Sequence, residues 1–200
     1  MEIIRPFKDV CLWEFHGLDI PEINFSKFAG PSANNAGRLL YKNTKIRSSI
    51  EYTTVIPQLE KIIKEISNTE NSNDLREGLN PRTSDDMLLY FINVWEYKEQ
   101  NFEFLRDLNG YEMEWHMDNR HVKFNMIANL KDNVSSTEFK IMEQLTPHNV
   151  NDFKPRCIDY RAPTKRGSGI LFFPTNRTWH RVIVKDEEER HVVMMGSLMS

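Results

Sequence analysis

The stretch Val122-Lys-Phe-Asn-Met-Ile-Ala-Asn-Leu-Lys131 alternates along its whole length. Phe124, Met126, Ala128 and Leu130 fall on one face of an extended chain, and Lys123, Asn125, Ile127 and Asn129 on the other, because successive strand side chains point to opposite sides. Asp132-Asn133 closes the run. Strands of the same kind are predicted over 137–142, over 170–173, where Pro174 stops the chain, and over 178–184 and 190–198. The Gly167-Ser168-Gly169 turn and the acidic run Asp186 to Glu189 connect them, and 146–154 is a polar connection. Short strands punctuated by turns, with no helical period between them, predict a mainly β antiparallel sandwich or barrel of the jelly-roll type.

Upstream, Asn109-Gly110 is a strong turn pair, and residues 111–115 lead out of it as a strand. Residues 98–107, with Phe102, Phe104 and Leu105, suggest one or two helical turns. Met87 to Tyr97 is the longest apolar run; its β-branched and aromatic residues favour a buried strand, with a short helix as the other reading. The polar segment 68–86 reads as a loop, either a lid over a site or a plain surface connection. Before it, Leu59, Ile62, Ile63 and Ile66 recur at i, i+3, i+4 and i+7. That spacing predicts an amphipathic helix over about 56–67, with Pro57 in its first turn, bracing the outside of a sheet. The Gly/Pro/Asn-rich segment 30–37 reads as a loop, and residues 1–25 as short strands and turns. The organisation expected is one domain, with residues 1–86 as an N-terminal elaboration and 87–198 as the β core.

A chain of 200 residues suits one domain with a proper core. Its formal charge of −3 gives no overall basic footprint, so nucleic acid is disfavoured as a partner. Cys11 and Cys157 are far apart and form no disulfide framework or C-x-x-C pair, which suits a reducing, cytoplasmic setting with both thiols buried or inert. No leader-like segment is evident at the start, and no apolar run has the length of a membrane span, so no membrane partner is expected.

Chemistry concentrates at Glu114-Trp-His-Met-Asp118. On an extended chain His116 and Asp118, at i and i+2, aim at one point, which is two thirds of a 2-His-1-carboxylate site for non-haem iron. The pair alone is a common accident. A second histidine, His180, follows a turn at the start of another predicted strand, and three ligands on one face would leave coordination positions open. Arg190 lies ten residues beyond His180, across a strand, an acidic turn and a strand. In an antiparallel hairpin it returns deep in the barrel, where a guanidinium holds a carboxylate bidentately. Trp115 and Trp179 precede the two histidines and are expected to pack in an apolar layer outside the site. Arg120, Arg177 and Arg181 are expected around the mouth; His16, His121, His148 and His191 read as structural or exposed.

The combination of His-x-Asp, then Gly-Ser-Gly-Ile-Leu-Phe-Phe-Pro-Thr-Asn-Arg-Thr-Trp-His180-Arg-Val, then an arginine at +10 resembles the Fe(II)- and 2-oxoglutarate-dependent dioxygenases, nearest the prolyl 4-hydroxylase-like branch. The likeness spans about residues 87–198. It implies a double-stranded β-helix, the cupin-like jelly roll, with an N-terminal bracing helix. It also implies iron ligation by His116, Asp118 and His180, and Arg190 on the 5-carboxylate of 2-oxoglutarate. Asn129, with Asn125 on the same face, stands where the family often carries a hydroxyl or tyrosine against the co-substrate, and Tyr90 or Trp95 is another source of that contact. The family's usual tyrosine shortly before His-x-Asp has no evident counterpart. The activity implied is hydroxylation of a C–H bond with O2, 2-oxoglutarate passing to succinate and ascorbate serving as reductant; an aspartate at 118 favours hydroxylation over halogenation. A peptidyl proline or another protein side chain is the expected substrate. A free amino acid or small metabolite is the alternative, and a non-catalytic metal- or ligand-binding jelly-roll module is the rival from another class.

Overall fold

The computed structural model describes residues 1–8, 10–28, 30–31, 33–41, 49–69, 101–118, 122–142, 157–174, 177–185 and 188–198. The segments 70–100, 119–121, 143–156 and 175–176 lie outside these. So do the expected apolar strand at 87–97, most of the 68–86 segment, Tyr90, Trp95, Arg120, His121 and His148.

Among the described residues the strands are β1 (Glu2–Ile4), β2 (Leu12–His16), β3 (Ala33–Asn35), β4 (Arg38–Tyr41), β5 (Asn101–Asp107), β6 (Glu112–His116), β7 (Val122–Asn129), β8 (Thr137–Met142), β9 (Cys157–Arg161), β10 (Gly169–Phe172), β11 (Thr178–Ile183) and β12 (Arg190–Leu198), with one α-helix, α1 (Ile50–Thr69), and a 3-10 turn at Phe25–Lys27. They form two antiparallel sheets, ordered β1-β2-β10-β7-β12-β5-β4-β3 and β6-β11-β8-β9. From β5 onward the chain visits large, small, large, small, small, large, small and large sheet in turn. Eight strands laid down in that order as two facing four-stranded sheets make the double-stranded β-helix.

The alternation of β7 shows how the layers form. Phe124, Met126 and Ala128 lie on the outer face of the large sheet with Phe104, Leu171, Phe173, Val193 and Met195. Val55, Ile56, Leu59, Ile62, Ile63 and Ile66 of α1 close over them. The helix is therefore the external brace its period predicts. Leu12, Ile170 and Phe172 point the other way, between the sheets, and meet Phe139 and Ile141 of the small sheet.

Three expectations need correction. Helix α1 begins at Ile50 rather than near residue 56, so Pro57 lies inside it. Ser49 caps the earlier start, its Oγ accepting from Tyr52 N at 3.1 Å and its carbonyl from Thr53 N at 3.0 Å. Pro57 cannot donate to the carbonyl of Thr53, and burial of Val55 and Ile56 offsets that loss. Residues 101–107 are a strand, not helical turns: Phe104 faces α1, whereas Glu103, Leu105 and Asp107 are buried on the opposite side. Residues 33–37 of the expected loop 30–37 belong instead to a hairpin over 33–41, turned by Ala36 (φ 45) and Gly37 (φ 97). Two left-handed residues in succession suit a two-residue hairpin turn.

Candidate metal centre and its arginine pocket

His116 ends β6, His180 sits on β11, and the two are directly paired across the small sheet. Asp118 follows two residues after β6. One ligand atom from each of His116, Asp118 and His180 lies within 4.8 Å of the others. Asp118 Oδ1 is 3.5 Å from His116 Nε2, and its Oδ2 is 3.4 Å from His180 Nε2. The Nδ1 atoms of the histidines meet the carbonyls of Glu114 (2.8 Å) and Thr178 (3.1 Å). A carbonyl only accepts, so each Nδ1 carries the proton and each Nε2 lone pair is left facing Asp118. Imidazole Nε2, carboxylate and imidazole Nε2, converging from two strands, form a donor set that suits a divalent iron.

Burial, with Phe172 and Phe139 rings 4.9 and 5.6 Å from the His180 ring, holds that imidazole below its usual range. The adjacent Asp118 carboxylate raises His116 above its usual range, against burial. Burial alone would raise Asp118, but the neighbouring His116 and His180 and the Asn125 amide hold it below the carboxylate range. A neutral, dry His180 and an ionised Asp118 are the forms a metal takes.

Arg190 opens β12 inside the barrel and is 2% exposed. Its Nη1 donates to Asp107 Oδ2 at 2.9 Å and its Nη2 to Thr137 Oγ1 at 2.8 Å. Its Nε is buried with no partner among the described residues. Asp107, 0% exposed, also takes Arg38 through Nε (2.6 Å) and Nη2 (2.9 Å). Arg38 in turn lies 4.4 Å over the ring of Tyr111. The buried charges here are two guanidiniums and two carboxylates: Asp107 bonds both arginines, and Glu103 acts on Arg38. The orphaned Nε of Arg190 fits a carboxylate such as the far end of a 2-oxo acid.

The two amides expected against that acid have protein acceptors. Asn125 Nδ2 donates to Asp118 Oδ2. Asn129 Nδ2 donates to the carbonyls of Pro163 (2.8 Å) and Ser168 (3.0 Å), and its Oδ1 accepts from Asn133. Asn125 thus orients a ligand candidate, and Asn129 ties β7 to the turn before β10. Asp107, Arg38, Thr137 and Tyr111 join the pocket without having been expected there from the sequence. Only Tyr111, five residues before His116, carried a signal, since the Arg38–Asp107 pair joins strands distant in the chain.

The outer face of the small sheet also differs from expectation. Trp115 is not in an apolar layer: Lys140 and Arg181 lie 5.0 and 4.6 Å from its ring, and Trp179 is 36% exposed. Arg181 pairs with Glu138 at 2.7 Å, beside Arg161, in a groove that holds none of the three ligand candidates, rather than at the mouth. Arg177 is buried, its Nε on the Met142 carbonyl. Cys11 is buried as expected, but Cys157 is exposed.

The fold and the cluster define a double-stranded β-helix with a His-Asp-His centre between its sheets. No family model matches the chain, and no curated protein matches it in sequence. Several solved structures resemble it. HygX from Streptomyces hygroscopicus, with nickel and 2-oxoglutarate bound, is 9% identical over 96% of this chain and 84% of its own, with a TM-score of 0.48. A Pseudomonas putida prolyl-4-hydroxylase is 12% identical over 61% and 70%, with a TM-score of 0.39. Vicilin from Corylus avellana is 11% identical over 84% of this chain, which spans 32% of the vicilin, with a TM-score of 0.39. Likeness this distant concerns strand arrangement alone.

Proposed function

We propose that the protein is an Fe(II)- and 2-oxoglutarate-dependent oxygenase that hydroxylates a C–H bond. The observation that carries this reading is the convergence of His116, Asp118 and His180 on one point, with Arg190 buried between the same sheets. Iron(II) bound there supplies the redox chemistry that couples oxidation of a substrate by O2 to decarboxylation of 2-oxoglutarate to succinate. The chain's residues do the rest. The carbonyls of Glu114 and Thr178 hold the imidazole protons away from the centre, and Asn125 fixes the Asp118 carboxylate. Phe139 and Phe172 keep water from His180. Arg190 binds the co-substrate's distal carboxylate, and the Tyr111 ring backs the pocket.

The substrate in this reading is a peptidyl proline or another protein side chain, on the likeness of the His116-to-Arg190 motif to the prolyl 4-hydroxylase-like branch, with a free amino acid or small metabolite as the alternative. Among the described residues no helix is long and apolar enough to cross a membrane, and the free cysteines support a reducing, cytoplasmic setting. The test is succinate formation from 2-oxoglutarate with Fe(II), ascorbate and a panel of proline peptides, free amino acids and small metabolites. Turnover above a His116→Ala control is expected. A wild type no better than that control would leave a non-catalytic binding module.

A further inference from the structure

We propose that Arg38, carried by the N-terminal hairpin outside the eight-strand core, is a positioning residue that keeps Arg190 electrostatically available to a carboxylate. The inference rests on the oxygenase reading above. A buried aspartate facing a single arginine would neutralise it and leave nothing to attract an anion. Here Arg38 takes both oxygens of Asp107, at 2.6 and 2.9 Å, and Arg190 shares only Oδ2. Asp107 therefore orients Arg190 while most of its charge is spent on Arg38. Burial pushes the Arg190 guanidinium down from its usual range and the Arg38 charge adds to that, against the pull of Asp107. Arg190 is thus held in a field that an added anion would relieve.

The hairpin is built to place Arg38 there. Gly37, at φ 97, turns the chain beside Tyr111, and its carbonyl accepts from Leu108 N at 2.8 Å. Arg38 is paired directly with Asp107 across β4 and β5. Its guanidinium is then clamped between the Asp107 carboxylate and the Tyr111 face. The N-terminal elaboration so reaches the same segment that leads into the metal strand, and the pocket is incomplete without it.

The experiment is calorimetric titration of 2-oxoglutarate, and separately of pyruvate, into anaerobic Mn(II)-loaded protein. Both acids carry the 2-oxo acid group, and only 2-oxoglutarate carries the distal carboxylate. Arg38→Met keeps the aliphatic stem and removes one positive charge, so that Asp107 faces Arg190 alone; Arg38→Lys keeps the charge without the fork, and thermal melts of both variants check folding. In Arg38→Met, 2-oxoglutarate affinity is expected to fall about 10- to 100-fold, the loss typical of a charged contact, with pyruvate changed less than about twofold and Arg38→Lys intermediate. Unchanged 2-oxoglutarate binding, or equal losses for both acids, overturns the positioning role while leaving the oxygenase reading intact. Wild-type protein that binds neither acid overturns the oxygenase reading, and this inference with it.

Discussion

Asn125 donates its side-chain amide to Asp118, from the large sheet to the segment leaving the small one. The bond fixes which way a ligand candidate points before any metal arrives. Groups that orient a ligand carboxylate typically contribute 10- to 100-fold to metal affinity. Asn125→Leu is accordingly expected to weaken Co(II) binding by about 10- to 100-fold, with the fold retained, in competition against a chelating dye. An unchanged affinity would mean that Asp118 is held by His116 and His180 alone.

Glu189 makes a bidentate pair with Arg106, at 2.8 and 2.6 Å, and takes His191 at 3.0 Å, joining β5 to β12. The Arg106 bond is the main cause that lowers Glu189 from 4.5 to about 2. A carboxylate depressed by folding contributes stability that is present above its unfolded value and lost as pH falls through the folded one. The Arg106 and Glu189 side chains are 31% and 36% exposed, so solvent screens the pair and the contribution is modest. The wild type should therefore be more stable than Arg106→Met in urea at pH 6, and that difference should shrink between pH 4.5 and about 2. A constant difference across this window would show that Arg106 acts through packing instead.

Gly169 starts β10 where a Cβ would meet Ile127 O at 2.1 Å and the Phe15 ring at 2.5 Å. A backbone carbonyl in a central sheet cannot give way as a flexible side chain can. Gly169→Ala is expected to cost on the order of 3 kcal/mol or more in denaturant unfolding. Gly30→Ala, where nothing lies within 4 Å, should stay within about 0.5 kcal/mol. Equal costs would show that the β2–β10–β7 register relaxes freely.

Much of the core was legible because its strands alternate and their turns are polar. The expected bounds of 137–142 and 190–198 coincide with β8 and β12, each flanked by turn chemistry. Residues 101–107 misled for a physical reason: Glu103 and Asp107 are polar yet buried inside the barrel, so the apolar pattern that announces a strand is broken there. Pro57 misplaced the start of α1, since a proline in an amphipathic run reads as a first turn while here tertiary packing carries the helix through it. His116, Asp118, His180 and Arg190 could be found because their order along the chain is itself a pattern. Asp107 and Arg38 could not, since they meet only through strand pairing, and no spacing along the chain predicts which strands adjoin.

The central claim is that three side chains converge to hold one metal ion. Anaerobic equilibrium dialysis of Fe(II) tests it without substrate or turnover. One Fe(II) per chain is predicted for the wild type, falling to background in His116→Ala, Asp118→Ala and His180→Ala while all three remain folded. Wild-type protein that retains no iron, or single variants that retain it as well as the wild type, would contradict the account.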